Sequence, residues 1–354
     1  MTYPVSSVVS IQAQGPLFQK INNAHKDDIH GISKVTPNSF LSGSKDSSLK
    51  QFGLDGHMVK VLSMHPACTG DEHPYFYWIT ALDNFSDGSW VSGQRNGFLQ
   101  CGDLKKYIYF SKIATDQITG ISNTTGFCKE RNERRISSIK CLDLYKSLVG
   151  IPGGFFEFDY TTGRTVRSFS LGTPDWVYGF CPISPERIAV IHATSLSIFQ
   201  PTDLSYTKLS TLISYDPAEN LEQKPFISSI QAMKESDNSQ PTQKVALSCL
   251  GGETQIRDLE TNQAIHRGLE HTQGVWQSIS HTSNTYLSSS DDASIKLWDI
   301  RQAETSIHTI TGHPGRVSAL CLLNEHTLIA GTCATDPYTD PNRAQLFFYD
   351  LRKI

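Results

Sequence analysis

Short runs of alternating apolar and polar residues dominate the chain. The stretch LSSSDDASIKLWDIR, Leu287 to Arg301, shows this most clearly: small residues, a turn on two aspartates, then the alternating strand Ile295-Lys296-Leu297-Trp298. A period of two reads as half-buried strand, and no segment sustains the longer period of an amphipathic helix. The stretch has echoes. LSGSKDSSLKQFGLDG (41–56) aligns Ser42 with Ser288, Asp46 with Asp292, and Phe52-Gly53 with Trp298-Asp299. VSGQRNGFLQCGD (91–103) is one residue shorter, and weaker copies are GGFFEFDYTTG (153–163), SLSIFQPTD (195–203), TQIRDLETN (254–262) and AQLFFYDLR (344–352).

Each echo follows a strand–turn–strand run, such as RVSALCLLNEHTLIAG (316–331), and precedes another alternating run, such as RTVRSFSL. The repeating unit is therefore four short antiparallel strands. Its lead-in residues run from Asp28 to Arg316 at a mean spacing of about 48 residues. Internal repetition at this period signals a ring or solenoid built from like units. The units span approximately 25–62, 77–113, 136–170, 176–213, 226–269, 274–311 and 315–352, within a single domain, 1–354. The last unit ends on a third strand. Residues 15–24 supply the missing outer strand, which joins the two chain ends and leaves only short edges. Loss of residues 1–22 is expected to weaken the whole ring; residues 1–14 carry no clear assignment, and either cover an edge or fray.

This organisation resembles the WD-repeat family of β-propellers along essentially the whole chain. The resemblance implies an all-β, seven-bladed WD-repeat β-propeller with four-stranded antiparallel blades, closed by the N-terminal strand. It is strong in the sixth unit, fair in the first and seventh, and degenerate in the others. By motif, the sixth unit holds a polar network of His271, Ser288, Asp292 and Trp298. Buried polar groups need partners, and a connected network satisfies several together. The first unit keeps His25, Ser42 and Asp46 but has Phe52, which lacks an N–H, in place of the Trp. The second has Cys101 there, so most blades lean on apolar packing.

Composition narrows the functional classes. A formal charge of -4 gives no basic excess for nucleic acid by direct electrostatics. The N-terminus has no positively charged and apolar leader, and no apolar run approaches the length of a membrane span. Eight scattered cysteines without a CxxC read as reduced thiols, with a cytoplasmic or nuclear location expected. His65, Cys68, Asp71, Glu72 and His73 share one loop, but their spacing fits no standard zinc site, and no metal or cofactor is expected. There is no Gly-x-Ser-x-Gly and no phosphate-binding glycine loop. KERNERR (129–135) reads as a solvated loop.

In such a ring one face carries the lead-in loops and the second-to-third-strand turns. Long insertions at 63–76, 114–135, 213–226 and 332–343 crowd that face, and 233–244 falls on the other. Loops on a rigid scaffold often carry binding residues, although exposed loops also drift freely. The residues just before each first strand are Asp28, Trp78, Arg135, Trp176, Phe226, Gly274 and Arg316, with Tyr178 and Trp276 adjacent. Trp, Tyr and Arg dominate interface energetics, so this rim is expected to bind a peptide side chain, an acidic one included, unless the aromatics only wedge between blades.

The sixth unit also resembles the adaptor-docking box of cullin–RING ligase substrate receptors, through Leu287, Ser288-Ser289-Ser290, Asp292 and Trp298-Asp299-Ile300-Arg301. Tyr349-Asp350-Leu351-Arg352 is a poorer copy. Asp299, Arg301 and Arg352 would then dock the adaptor on the face opposite the rim, although Arg is common at such exposed turns. Three functions follow: a non-catalytic scaffold or adaptor for protein or peptide partners, monomeric within a larger assembly; a ligase substrate receptor; and, more remotely, an enzyme using a cleft on the loop-rich face.

Overall fold

The computed structural model describes residues 7–10, 15–64, 78–102, 107–109, 135–143, 145–192, 194–213, 226–235, 243–333 and 344–354. These form seven antiparallel sheets whose inner strands touch in cyclic order, a seven-bladed β-propeller. The inner strands are Ile29–Thr36, Ile79–Asn84, Ser138–Asp143, Val177–Ser184, Ile227–Ala232, Val275–Ser280 and Val317–Leu322. Blade six continues outward through Thr285–Ser290, Ile295–Asp299 and His308–Ile310. Antiparallel order places the lead-in loops and the second-to-third-strand turns on one face.

Blade seven closes the ring. Beyond Val317–Leu322, Thr327–Thr332 and Ala344–Asp350 lies the N-terminal strand Leu17–His25, with Leu17 opposite Tyr349 and Ile21 opposite Leu346. This blade differs from the four-stranded expectation. Ser7–Ser10 adds a fifth strand, pairing Val8 with Ile21 and Ser10 with Gln19, so part of the unassigned N-terminal segment covers the outer edge.

What locks blade to blade is a residue the repeat alignment passed over. The position following each lead-in residue is Ile29, Ile79, Ile136, Val177, Ile227, Val275 or Val317, and all are at most 1% exposed. A β-branched side chain is stiff and fills a fixed shape. Four of these side chains enter a hollow in the second strand of the preceding blade that is floored by glycine. A Cβ at Gly43 would lie 2.5 Å from Ile79, one at Gly93 2.3 Å from Ile136, one at Gly150 3.0 Å from Val177, and one at Gly331 2.8 Å from Ile29. Ser248 and Ser289, both fully buried, hold the matching places in blades five and six.

A hydroxyl one residue further along stitches four of the same seams. Thr80 donates to the carbonyl of Ile136, Ser137 to Val177 at 2.6 Å, Ser228 to Val275, and Ser318 to Ile29. The last bond links the first and last blades.

Overpacking a tight site typically costs about 1–3 kcal/mol, and truncating a buried Ile to Ala about 2–5 kcal/mol. Gly93→Ala and Ile136→Ala should each lower the urea midpoint. Together they should lose clearly less than the sum, because the added methyl then occupies the vacated space. Additive losses would show that the two residues do not interlock.

Candidate functional site

Blade six builds its polar network as a single chain. The Asp292 carboxylate accepts from His271 Nδ1 at 2.7 Å, and His271 Nε2 meets Ser288 Oγ at 2.7 Å. Trp298 Nε1 donates to the same Ser288 Oγ at 2.8 Å. Ser294, which the sequence reading passed over, donates through both N–H and hydroxyl to Asp292 Oδ1. Blade one repeats this with His25, Ser42, Asp46 and Ser48. Phe52 supplies no donor there and instead stacks on Phe40 at 5.6 Å. In blade two Cys101 is buried opposite Val91.

A third lead-in imidazole went unnoticed in the sequence. His313 Nδ1 donates to the Ala293 carbonyl at 2.8 Å, and Tyr349 Oη pairs with its Nε2 at 2.6 Å. Tyr349, at the Trp position, thus supplies the hydroxyl that Ser288 gives in blade six, and a backbone carbonyl of the neighbouring blade replaces the Asp. No side-chain motif spells that out.

The rim is a set of paired rings and cations. The Arg316 guanidinium lies 5.5 Å from the Trp276 ring centroid and donates to Asp28 at 2.9 Å. Lys45 pairs with the same Asp28 carboxylate and sits 5.0 Å over Trp78, whose ring also holds Arg95 at 4.9 Å. Arg135 lies 5.0 Å over Trp176, and Trp276 Nε1 donates to Asp291 at 2.7 Å. Trp78, Arg135, Trp176, Tyr178, Trp276 and Arg316 are half-buried. Phe226 stands apart, exposed beside Leu250, whose N–H donates to its carbonyl. Lys45, Arg95, Leu250 and Asp291 were missed because each follows a second strand. Backbone bonds from Lys45, Arg95, Leu250 and Asp291 to the carbonyls of Asp28, Trp78, Phe226 and Gly274 bring the two sets together.

Electrostatics follow from this packing. Burial opposes the Asp28 carboxylate, yet Lys45 and Arg316 overcome it and hold its pKa below the ordinary value. Burial, reinforced by Lys45, Arg135 and Arg316, pushes the His30 imidazole down to about 3, and its Nε2 is buried without a hydrogen-bond partner.

On the opposite face, Arg301 is clipped to Asp299, with Nε and Nη2 donating at 2.9 and 2.6 Å. Arg352 holds Asp350 in the same way, at 2.8 and 2.8 Å. Both arginine side chains are 66% exposed. The Asp299 carboxyl falls to about 2, first through the Arg301 bond, and Asp350 matches it through Arg352. The same Asp turn recurs at Asp159 and Asp258 without an Arg. The ends of the loops 63–76, 114–135, 213–226 and 332–343 meet the rim face. Most of these loops, including His65 to His73, lie outside the described residues.

Residues 263–299 match the family model "WD domain, G-beta repeat", which covers the outer strand of blade five and three strands of blade six. The fold is that of a WD40 propeller. The solved WD40 beta propeller domain of Doa1 superposes with a TM-score of 0.68, covering 96% of this chain and 97% of that one at 11% identity. That identity carries the fold alone. Significant structural matches number 1682, too widespread a likeness to choose a function. No curated protein matches the sequence.

Burial holds His30 at about 3 and both His192 and His313 at about 4, against 6.5 for a free imidazole. A lowered folded pKa means that the unfolded chain binds the extra protons. Stability is therefore full above pH 6.5 and falls as the pH drops toward 4. Asp46 and Asp292, held below 3.8 by their bonds despite burial, add to the loss only at lower pH. Thermal melts should decline from pH 7 to 4.5, with a shallower slope in His313→Gln. A flat profile would contradict this.

Proposed function

We propose that the protein is a non-catalytic interaction platform that binds a protein or peptide partner on its lead-in face. The observation that carries this is the rim, where Trp78, Trp176 and Trp276 stand half-buried at the channel mouth, each with a guanidinium over its ring. Such groups combine large apolar area with polar handles, the chemistry of interface hot spots. WD40 propellers generally bind protein partners, and the fold is consistent with a scaffold. The imidazoles of His25, His271 and His313 are each committed to bonds within the scaffold, which supports a non-catalytic reading.

A second reading, as a substrate receptor of a cullin–RING ubiquitin ligase, is favoured by the clipped, exposed Arg301 and its copy Arg352 in the adjacent blade. An adaptor held there would leave the rim free for a substrate.

One experiment addresses both readings. Affinity purification with mass spectrometry should recover specific partners, and Trp176→Ala and Arg316→Ala should lose them while both variants stay folded, Arg316→Ala with a lowered melting temperature because it also takes a partner from Asp28. Undiminished recovery would rule out the rim. If the receptor reading holds, the eluate contains a ligase adaptor that Arg301→Ala releases; a wild-type eluate without one ends that reading.

A further inference from the structure

The position after each interlocking Ile or Val is a hydroxyl residue in four blades, and there it stitches the seam to the next blade. In the other three blades it is His30, Tyr178 or Trp276. These side chains forgo the stitch, and Trp276 and Tyr178 lie beside rim cations, Arg316 and Arg135 respectively. The His30 imidazole feels the charges of Lys45, Arg135 and Arg316, cations drawn from blades one, three and seven, and the opposing charge of Asp28. Asp28 is already bonded to two of those cations. Asp291 is engaged by the Trp276 N–H, and Asp175 by the Thr173 hydroxyl.

This arrangement discriminates by charge. The ring faces of Trp78, Trp176 and Trp276 are covered by the chain's own Arg95, Arg135 and Arg316, so an incoming lysine or arginine would meet like charge where it would otherwise find an aromatic face. An anion meets guanidinium groups, and the His30 imidazole beside them has its Nε2 buried without a hydrogen-bond partner. Arg is well shaped for carboxylate recognition. The rim is also lopsided. Between the Arg135–Trp176 pair and Trp276 comes blade five, where Phe226 and Leu250 are each 39% exposed.

We infer that the channel mouth seats a carboxylate side chain of an acidic peptide between Arg135, Arg316 and His30, while an apolar residue of the same peptide rests on Phe226 and Leu250. This rests on the lead-in face being the binding face.

Fluorescein-labelled nonapeptide pools, with the central residue fixed as Glu, Gln, Lys or phosphoserine, can be titrated against the full chain by fluorescence anisotropy. The Glu pool should bind at least about tenfold more tightly than the Gln and Lys pools. Arg135→Gln should abolish that preference, and Phe226→Ser should weaken the Glu and Gln pools alike, both with unchanged melting curves. Arg316→Gln, which also loosens Asp28, is the second variant if Arg135→Gln fails to fold. Equal binding of the Glu and Gln pools, with sensitivity to Phe226→Ser, overturns the carboxylate seat but leaves the binding face standing. No binding by any pool counts against both. A Lys preference, or a phosphoserine pool bound far more tightly than Glu, reassigns the mouth to another chemistry and overturns this one.

Discussion

A buried β-branched side chain follows the lead-in residue of every blade, and at four of the seven seams it packs into a glycine-floored hollow of the blade before it, so these blades are incomplete without their neighbours. Gly43, Gly93, Gly150 and Gly331 exist as glycines because a Cβ at each would fall within about 3 Å of the incoming Ile or Val. The constraint is cyclic. Ile29 of the first blade packs on Gly331 of the last, and the Ser318–Ile29 and Arg316–Asp28 bonds cross the same seam. Trp78, Arg135, Trp176 and Arg316 sit one position before these side chains, and Tyr178 and Trp276 one position after, so the rim is anchored to the interlock. A stitched ring of this kind suits a binding surface, because its loops can vary while the groups at the mouth keep their geometry.

The fold was legible wherever polar residues had to be spelled out. Blade six shows its His271–Asp292–Ser288–Trp298 chain in the sequence because a buried network tolerates few substitutes. The closing strand Leu17–His25 was legible because the last unit was one strand short. The His313–Tyr349 pair was not, since its third partner is a backbone carbonyl of another blade. The fifth strand Ser7–Ser10 was not, since four residues against an edge carry almost no pattern.

The rim residues were found by alignment, but not their chemistry. Trp78 and Arg95, or Trp276 and Arg316, are far apart in sequence, and only the strand register and blade order place cation over ring. Pairing changes how these residues are to be regarded. They form a pre-organised, positively charged collar with one apolar segment at blade five, rather than a ring of open aromatic faces. On the opposite side, Arg301 was read as a docking residue at an exposed turn. It is free of the buried network, but it is clipped to Asp299, the residue that also caps its turn.

The central claim is that partners engage the lead-in face. The most direct test is hydrogen–deuterium exchange of the full chain with and without its purified partner. Protection should concentrate in segments spanning 26–30, 78–81, 135–138, 174–178 and 226–228, while the turns at 299–301 and 350–352 exchange as in the free protein. Protection confined to those two turns, with the rim segments unchanged, would contradict the claim.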